Sequence, residues 1–221
     1  MLISETPIVL TDTTLPILRH GAGVSGYKHR WIMNEVTAAV DTVALTVPDY
    51  VGGVPFTGTS GPTVKALPSG IKYLQFDGSA NTLTAAIPAG DALTVVMIAR
   101  SRGTAGLLAS GTGAAVGVGS SYVQFTGGTT VPVNLSAVNQ WRFIAITADG
   151  TNATMTVDGT TATGAATAVF GNVLRLAANG TPANFSQLDV LEVDAYPTAL
   201  NVSALASVRA AMKVRYGSIL L

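Results

Sequence analysis

Trp141-Arg-Phe-Ile-Ala-Ile-Thr-Ala-Asp-Gly150, with Ala153-Thr-Met-Thr-Val-Asp-Gly159 close behind it, is the stretch on which the fold turns. Each run alternates apolar with small or polar residues and ends in Asp-Gly. A period of two sends successive side chains to opposite faces of a strand, and Asp-Gly supplies the positive-φ positions of a type I′ turn. The pair predicts strands delivered into tight turns. The same ending closes Tyr73-Leu-Gln-Phe-Asp-Gly78 earlier in the chain, so all three Asp-Gly pairs read as hairpin corners.

Working outward, strand candidates follow one another at short intervals. They are Val43–Val47, Lys72–Asp77, Thr82–Ala86, Leu93–Ser101, Gly106–Ala109, Ala114–Val118, Tyr122–Phe125, Val131–Leu135, Gln140–Ala148, Ala153–Val157, Val173–Ala177 and Ser186–Tyr196. That rhythm belongs to an antiparallel sandwich or jelly roll. Residues 52–70, rich in Gly, Pro, Thr and Ser, read as a long surface loop. One helix competes, over Val202–Tyr216: Leu205, Val208, Met212 and Tyr216 recur on one face, Asn201 or Ser203 can cap the start, and Gly217 stops it. The predicted class is all-β, two antiparallel sheets with one short C-terminal helix.

Composition limits the role. Twelve basic and twelve acidic residues cancel over 221 residues, which removes the field that would draw in nucleic acid or an anionic membrane. Charged residues are 11% of the chain, against about 25% in an average domain. None falls between Gly103 and Trp141. A surface so poor in charge suits a component covered by copies of itself or by other subunits. Cysteine is absent, which excludes disulfides, thiolate metal sites and a cysteine nucleophile. The first ten residues do not form a secretory signal, and no run of eighteen apolar residues predicts membrane insertion. Residues 1–24, with Pro7, Pro16 and the apolar Ile8-Val-Leu10 and Leu15-Pro-Ile-Leu18, read as an extended arm preceding a domain over residues 25–221.

Chemistry-bearing residues are few. Asp77, Asp149 and Asp158 could each offer a carboxylate to Ca²⁺, but the Asp-x-Asp-x-Asp-Gly spacing of a calcium loop is missing, so turns are the expected role and no metal site is assigned. Glu192 and Asp194, two apart on a strand, share a face as a retaining glycosidase pair would. The sandwich-type glucanase pattern Glu-x-Asp-x-x-Glu would place its third carboxylate at Pro197, so the pair is expected to anchor loops by hydrogen bonds. His20 and His29 lack a nucleophile elbow and are expected at a surface or interface. Sugar binding would need exposed aromatics; of the fourteen present most occupy strand positions expected to be buried, and Trp31, Tyr50, Phe56 and Tyr122 are the candidates. No catalytic residue and no cofactor is expected.

Taken in order, Trp31, Val47-Pro-Asp49, Gly61-Pro-Thr-Val64, Leu74-Gln-Phe-Asp-Gly78 and Leu93-Thr-Val-Val96 resemble the first half of a laminin-G-like, concanavalin-A-like jelly roll. Trp141–Thr147, the Val-Asp-Gly hairpin, Leu188–Leu200 and Tyr216-Gly217 resemble its second half. The resemblance implies two stacked antiparallel sheets and binding of sugars or proteins through loops. The Ala, Gly, Thr and Val bias also resembles virion proteins of tailed bacteriophages. It implies a non-enzymatic structural protein, a head decoration or tail component made in the host cytoplasm and located in the virion, whose partners are other virion proteins and its own copies. The alternative is a carbohydrate-binding or adhesion module recognising a cell-surface glycan.

Overall fold

The computed structural model describes residue 26 and residues 29–219, apart from 88–91, 105, 112, 167–169 and 180–183. The expected arm over residues 1–24, and His20 with it, lies outside the described residues. The strands are His29–Ile32 (β1), Thr46–Val47 (β2), Phe56–Thr57 (β3), Thr63–Ala66 (β4), Lys72–Gln75 (β5), Leu83–Ala86 (β6), Ala92–Ser101 (β7) and Gly106–Ser110 (β8). They continue as Ala115–Val118 (β9), Val123–Gly127 (β10), Thr129–Val133 (β11), Arg142–Asp149 (β12), Asn152–Val157 (β13), Thr160–Ala165 (β14), Val173–Leu176 (β15) and Leu188–Tyr196 (β16), before helix α1 at Val202–Tyr216.

Two sheets form from them. The first runs β14-β13-β12-β7-β16-β5-β4, with β1 also paired to β16, and the second runs β11-β10-β9-β8-β15-β6-β3-β2. All pairings between these strands are antiparallel. The fold is the two-sheet jelly-roll sandwich with a C-terminal helix that the alternation predicts. At its flanks a Val43–Thr63 bridge joins the sheets on one side, and a Gly128–Ala166 bridge ties β11 to β14 on the other. Joining the edges hides backbone groups that would otherwise template aggregation.

The main core lies between the sheets, filled by residues such as Trp31, Phe56, Leu74, Met97, Phe125, Ile144, Met155 and Leu188. A second core lies on the outer face of the first sheet, where Leu205, Val208, Met212 and Tyr216 of α1 cover Val96, Ile98, Phe143, Ala145 and Leu191. These are the four helix residues the periodicity selects, and burying each contributes about 1.5–3 kcal/mol. Asn201 caps the helix by accepting from Ala204 N at 2.9 Å, and Gly217 ends it at φ 52°. Among the described residues no helix is long and apolar enough to cross a membrane.

Being covered on both faces, β7 and β16 lose the usual inside-outside alternation, and all nine residues of β16 are buried. The register of β16 against β7 slips between Val190 and Glu192, so Leu191 is an extra residue. The resulting bulge keeps Leu188, Val190, Val193 and Ala195 in the main core.

Three expectations change. Asp158-Gly159 is the type I′ corner of β13–β14, with φ of 50° and 94°, but Asp77-Gly78 connects β5 in one sheet to β6 in the other and is not a hairpin. There the Asp77 carboxylate accepts from Ser79 N at 2.8 Å and Ala80 N at 3.2 Å, which secures the turn between layers. Residues 52–70 are not one surface loop: they carry β3 and β4, and put Phe56 and Val64 in the core. Gly61 stands where a Cβ would meet Ala44 O at 1.9 Å, so this chain crossing demands glycine. His29 is buried and paired, and does not lie at the surface.

Candidate functional site

Glu192 and Asp194 do lie on one face, beneath α1, but they are sealed there. Glu192 is fully buried; its Oε1 accepts from Arg30 Nε at 3.1 Å and Nη2 at 2.9 Å, and its Oε2 from the Tyr216 hydroxyl at 2.6 Å. Arg215 of α1 donates to both oxygens. The carboxylate therefore fastens β1 and the helix end to β16, anchoring whole elements where the spacing had suggested loops. Burial and the Glu192 charge push the Tyr216 hydroxyl far above the usual phenol range.

Asp194 lies 3.6 Å from Arg30 Nε, too long for a hydrogen bond, and its Oδ1 has no hydrogen-bond partner among the described residues. Burial, with the neighbouring Glu192 charge, raises its pKa well above the carboxylate value against the pull of Arg30 and Arg215. In this arrangement neither acid can touch a substrate. Nor do the turn aspartates gather: among the described residues no group of three or more His, Cys, Asp or Glu could hold a metal ion.

The aromatic candidates separate in the same way. Trp31 and Phe56 are fully buried, their rings tilted at 48° with centroids 4.3 Å apart, and the indole N–H donates to Val54 O at 2.9 Å. They belong to the core, and the surface expected of them is not available. Beside them, Asp49 holds the loop that follows β2. It accepts from Arg30 N at 3.0 Å, from Val51 N at 3.0 Å and from Val54 N at 3.1 Å, and it pairs with His29 Nδ1 at 2.7 Å. Although partial burial works the other way, these bonds hold its pKa below the ordinary carboxylate value. Tyr50 is half-buried, its hydroxyl donating to Glu35 O at 3.1 Å. Tyr122 is half-buried at the β9–β10 turn, over Gly119.

A third half-buried aromatic lies within a strand candidate and lines a groove. Trp141 enters β12 half-buried, in the wall of a groove of about 540 Å³ that Leu67, Pro68, Asn139, Gln140, Arg142 and Ile219 also line. Three elements meet here: the β4–β5 hairpin, the loop before β12, and the turn after α1. The loop is pinned to the end of β7, since Ser101 N donates to Ala137 O at 2.9 Å and Asn139 N to Ser101 O at 2.7 Å. Arg142 is committed to structure as well: its Nε donates to Ser136 O at 2.8 Å and its Nη1 to Asp158 Oδ2 at 2.7 Å.

Trp141 is held by a chain of contacts that starts on β16. Asp189, fully buried, accepts from Arg100 Nε at 2.7 Å and Arg102 Nε at 3.0 Å. Arg100 then lies with its Cζ 4.7 Å from the Trp141 ring centroid, and Tyr73 meets the same indole edge-on at 5.6 Å. A cation over an aromatic face at this distance contributes about 0.5–2 kcal/mol, so the plate is fixed before any ligand arrives.

No protein-family model and no curated protein sequence matches this chain. Solved structures do match. A sialidase of Trypanosoma rangeli in complex with sialic acid superposes with a TM-score of 0.66 at 13% identity, over 87% of this chain and 34% of the sialidase. The binding domain of botulinum neurotoxin serotype D gives 0.65 at 10% identity, over 86% of this chain and 53% of that domain. The receptor binding domain of a botulinum neurotoxin C/D mosaic serotype gives 0.64 at 9%, over 86% and 52%. The chain thus spans about a third of the sialidase and half of the toxin domains. At such identities the likeness is one of fold: a two-sheet antiparallel sandwich.

Proposed function

We propose that the chain is a non-enzymatic recognition module that binds a glycan in the Trp141 groove. The observation that carries this reading is a half-buried tryptophan, held by Arg100 and Tyr73, in a groove rimmed by Asn139 and Gln140. A sugar ring has an apolar C–H face and a rim of hydroxyls; an aromatic plate suits the first, and side-chain amides, which both donate and accept, suit the second. The groove volume falls within the range of small-ligand sites, roughly 300–1,000 Å³. The fold shared with a sialic-acid-binding sialidase and with toxin binding domains supports the reading without assigning a sugar.

The test is a glycan array followed by calorimetry. Specific binding should be lost in Trp141→Ala and retained in Tyr122→Ala, with circular dichroism unchanged in both. A silent array, or full affinity in Trp141→Ala, would remove this site.

A second reading, a structural component of a tailed-phage particle, is favoured by the uncharged β8–β11 region, whose partly or fully exposed positions include Ala115, Gly117, Gln124, Thr126, Thr130 and Pro132. Such a surface can meet its own copy without charge repulsion. Light scattering decides: a stable oligomer would support this role, and a monodisperse monomer at high concentration would count against it.

A further inference from the structure

We infer that a second pocket, under the start of α1, takes a small aromatic molecule carrying a single hydroxyl group. The pocket has a volume of about 140 Å³ and lies between the N-terminal half of the helix and the β13–β14 hairpin. Its walls are mostly apolar, with Phe143 below and Leu205 and Ala206 above, and it opens past Val202, which is 72% exposed. An apolar cavity of about 150 Å³ stays dry and accommodates one benzene ring.

Three polar side chains, Thr156, Thr161 and Arg209, break the apolar lining, and of these Thr156 is the buried one. Ala153, Met155 and Val157 point into the main core, so alternation turns Thr156 toward the helix. Thr156 lines the pocket, is 5% exposed, and its hydroxyl has no hydrogen-bond partner among the described residues. A ring with one hydroxyl meets both requirements: its body fills the apolar space and its O–H pairs with Thr156. The far wall is formed where the β13–β14 turn meets the helix. There Arg209 Nη1 lies 3.0 Å from where a Gly159 Cβ would stand, so the guanidinium closes against the turn.

The experiment is titration of the full chain with phenol and with toluene, followed by amide chemical shifts. Phenol should give saturable shifts at Phe143, Thr156, Leu205 and Ala206, and bind about five- to tenfold more tightly than toluene, the value of one net hydrogen bond. Thr156→Val, which keeps shape and removes the hydroxyl, should erase that preference. Ala206→Leu, which fills the space, should abolish binding of both probes while α1 remains folded. The inference is overturned if the wild-type shifts do not saturate, if Ala206→Leu binds as well as wild type, or if a crystal soaked in phenol shows only water on Thr156. None of these outcomes bears on the Trp141 groove, which lies at the other end of α1.

Discussion

Two arginine clusters sit on the same strand and have opposite fates. Glu192 and Asp189 are both acids of β16, both fully buried, and each holds two arginines. Over Glu192 the helix closes, adding the Tyr216 hydroxyl, and all the binding capacity of the carboxylate is spent inside the fold. Over Asp189 no helix closes, and Arg100 carries Trp141 out to the groove. A buried carboxylate is thus not in itself a sign of chemistry. What separates framework from candidate site is whether the arginine it fixes turns inward to another element or outward to an aromatic plate.

The largest effect should come from breaking the sealed cluster. Glu192→Ala would leave Arg30, 2% exposed, and Arg215 without their carboxylate. Removing one partner of a buried ion pair costs about 3–5 kcal/mol. Urea unfolding should show that loss while glycan affinity, measured where the variant is still folded, stays the same. A cost below about 1 kcal/mol would mean the cluster is not what holds α1 to the sheet.

Asp189→Asn comes next and should act on both regions of the comparison. It weakens charged hydrogen bonds to Arg100 and Arg102, worth about 1.5–3 kcal/mol, and it releases the arginine that backs Trp141. Stability and glycan affinity should fall together. Lost stability with unchanged affinity would show that the plate does not depend on its support.

The contrast was only partly legible in the sequence, and the reasons are physical. Helix α1 was readable because Leu205, Val208, Met212 and Tyr216 carry a local period and Asn201 and Gly217 mark its ends. The corner at Asp158-Gly159 was readable because φ is positive at both residues. The strand beyond it was not, since Thr160-Thr-Ala-Thr-Gly-Ala165 has no apolar alternation to announce it. β1 was hidden for a different reason: His29-Arg-Trp-Ile32 is buried throughout, and Arg30 can be buried only because Glu192 arrives from 162 residues away. The surroundings of Trp141 were illegible on the same account. A tryptophan entering a strand looks like core, and its exposure depends on how the Leu67–Ser69 hairpin tip and the helix end meet around it, which no local pattern encodes.

Asp194→Asn should give a smaller effect that depends on pH. The native pKa is raised above the ordinary value of 3.8, so the folded state retains a proton that the unfolded state gives up. The stability this contributes is complete below the unfolded pKa and is lost as pH rises through the native one. The asparagine variant should therefore lose less stability than wild type as pH rises from about 4 toward neutrality. Parallel denaturation curves for the two proteins across that range would mean that Asp194 ionises normally, and that Glu192 and Arg30 leave it solvated.

The smallest expected effect, and the sharpest on the open region, is Trp141→Phe. The ring stays, so Tyr73 keeps an aromatic neighbour and the groove keeps a wall, but Arg100 loses the better cation–π partner. At a partly exposed site that difference is worth at most about 0.5–1 kcal/mol, and thermal unfolding should barely move. Glycan affinity should drop further than stability does, because a smaller and less tightly fixed plate contacts less of the sugar face. Equal losses in both would return Trp141 to the framework role its strand position first suggested. An affinity loss alone would show that Asp189, unlike Glu192, works through what it displays to solvent.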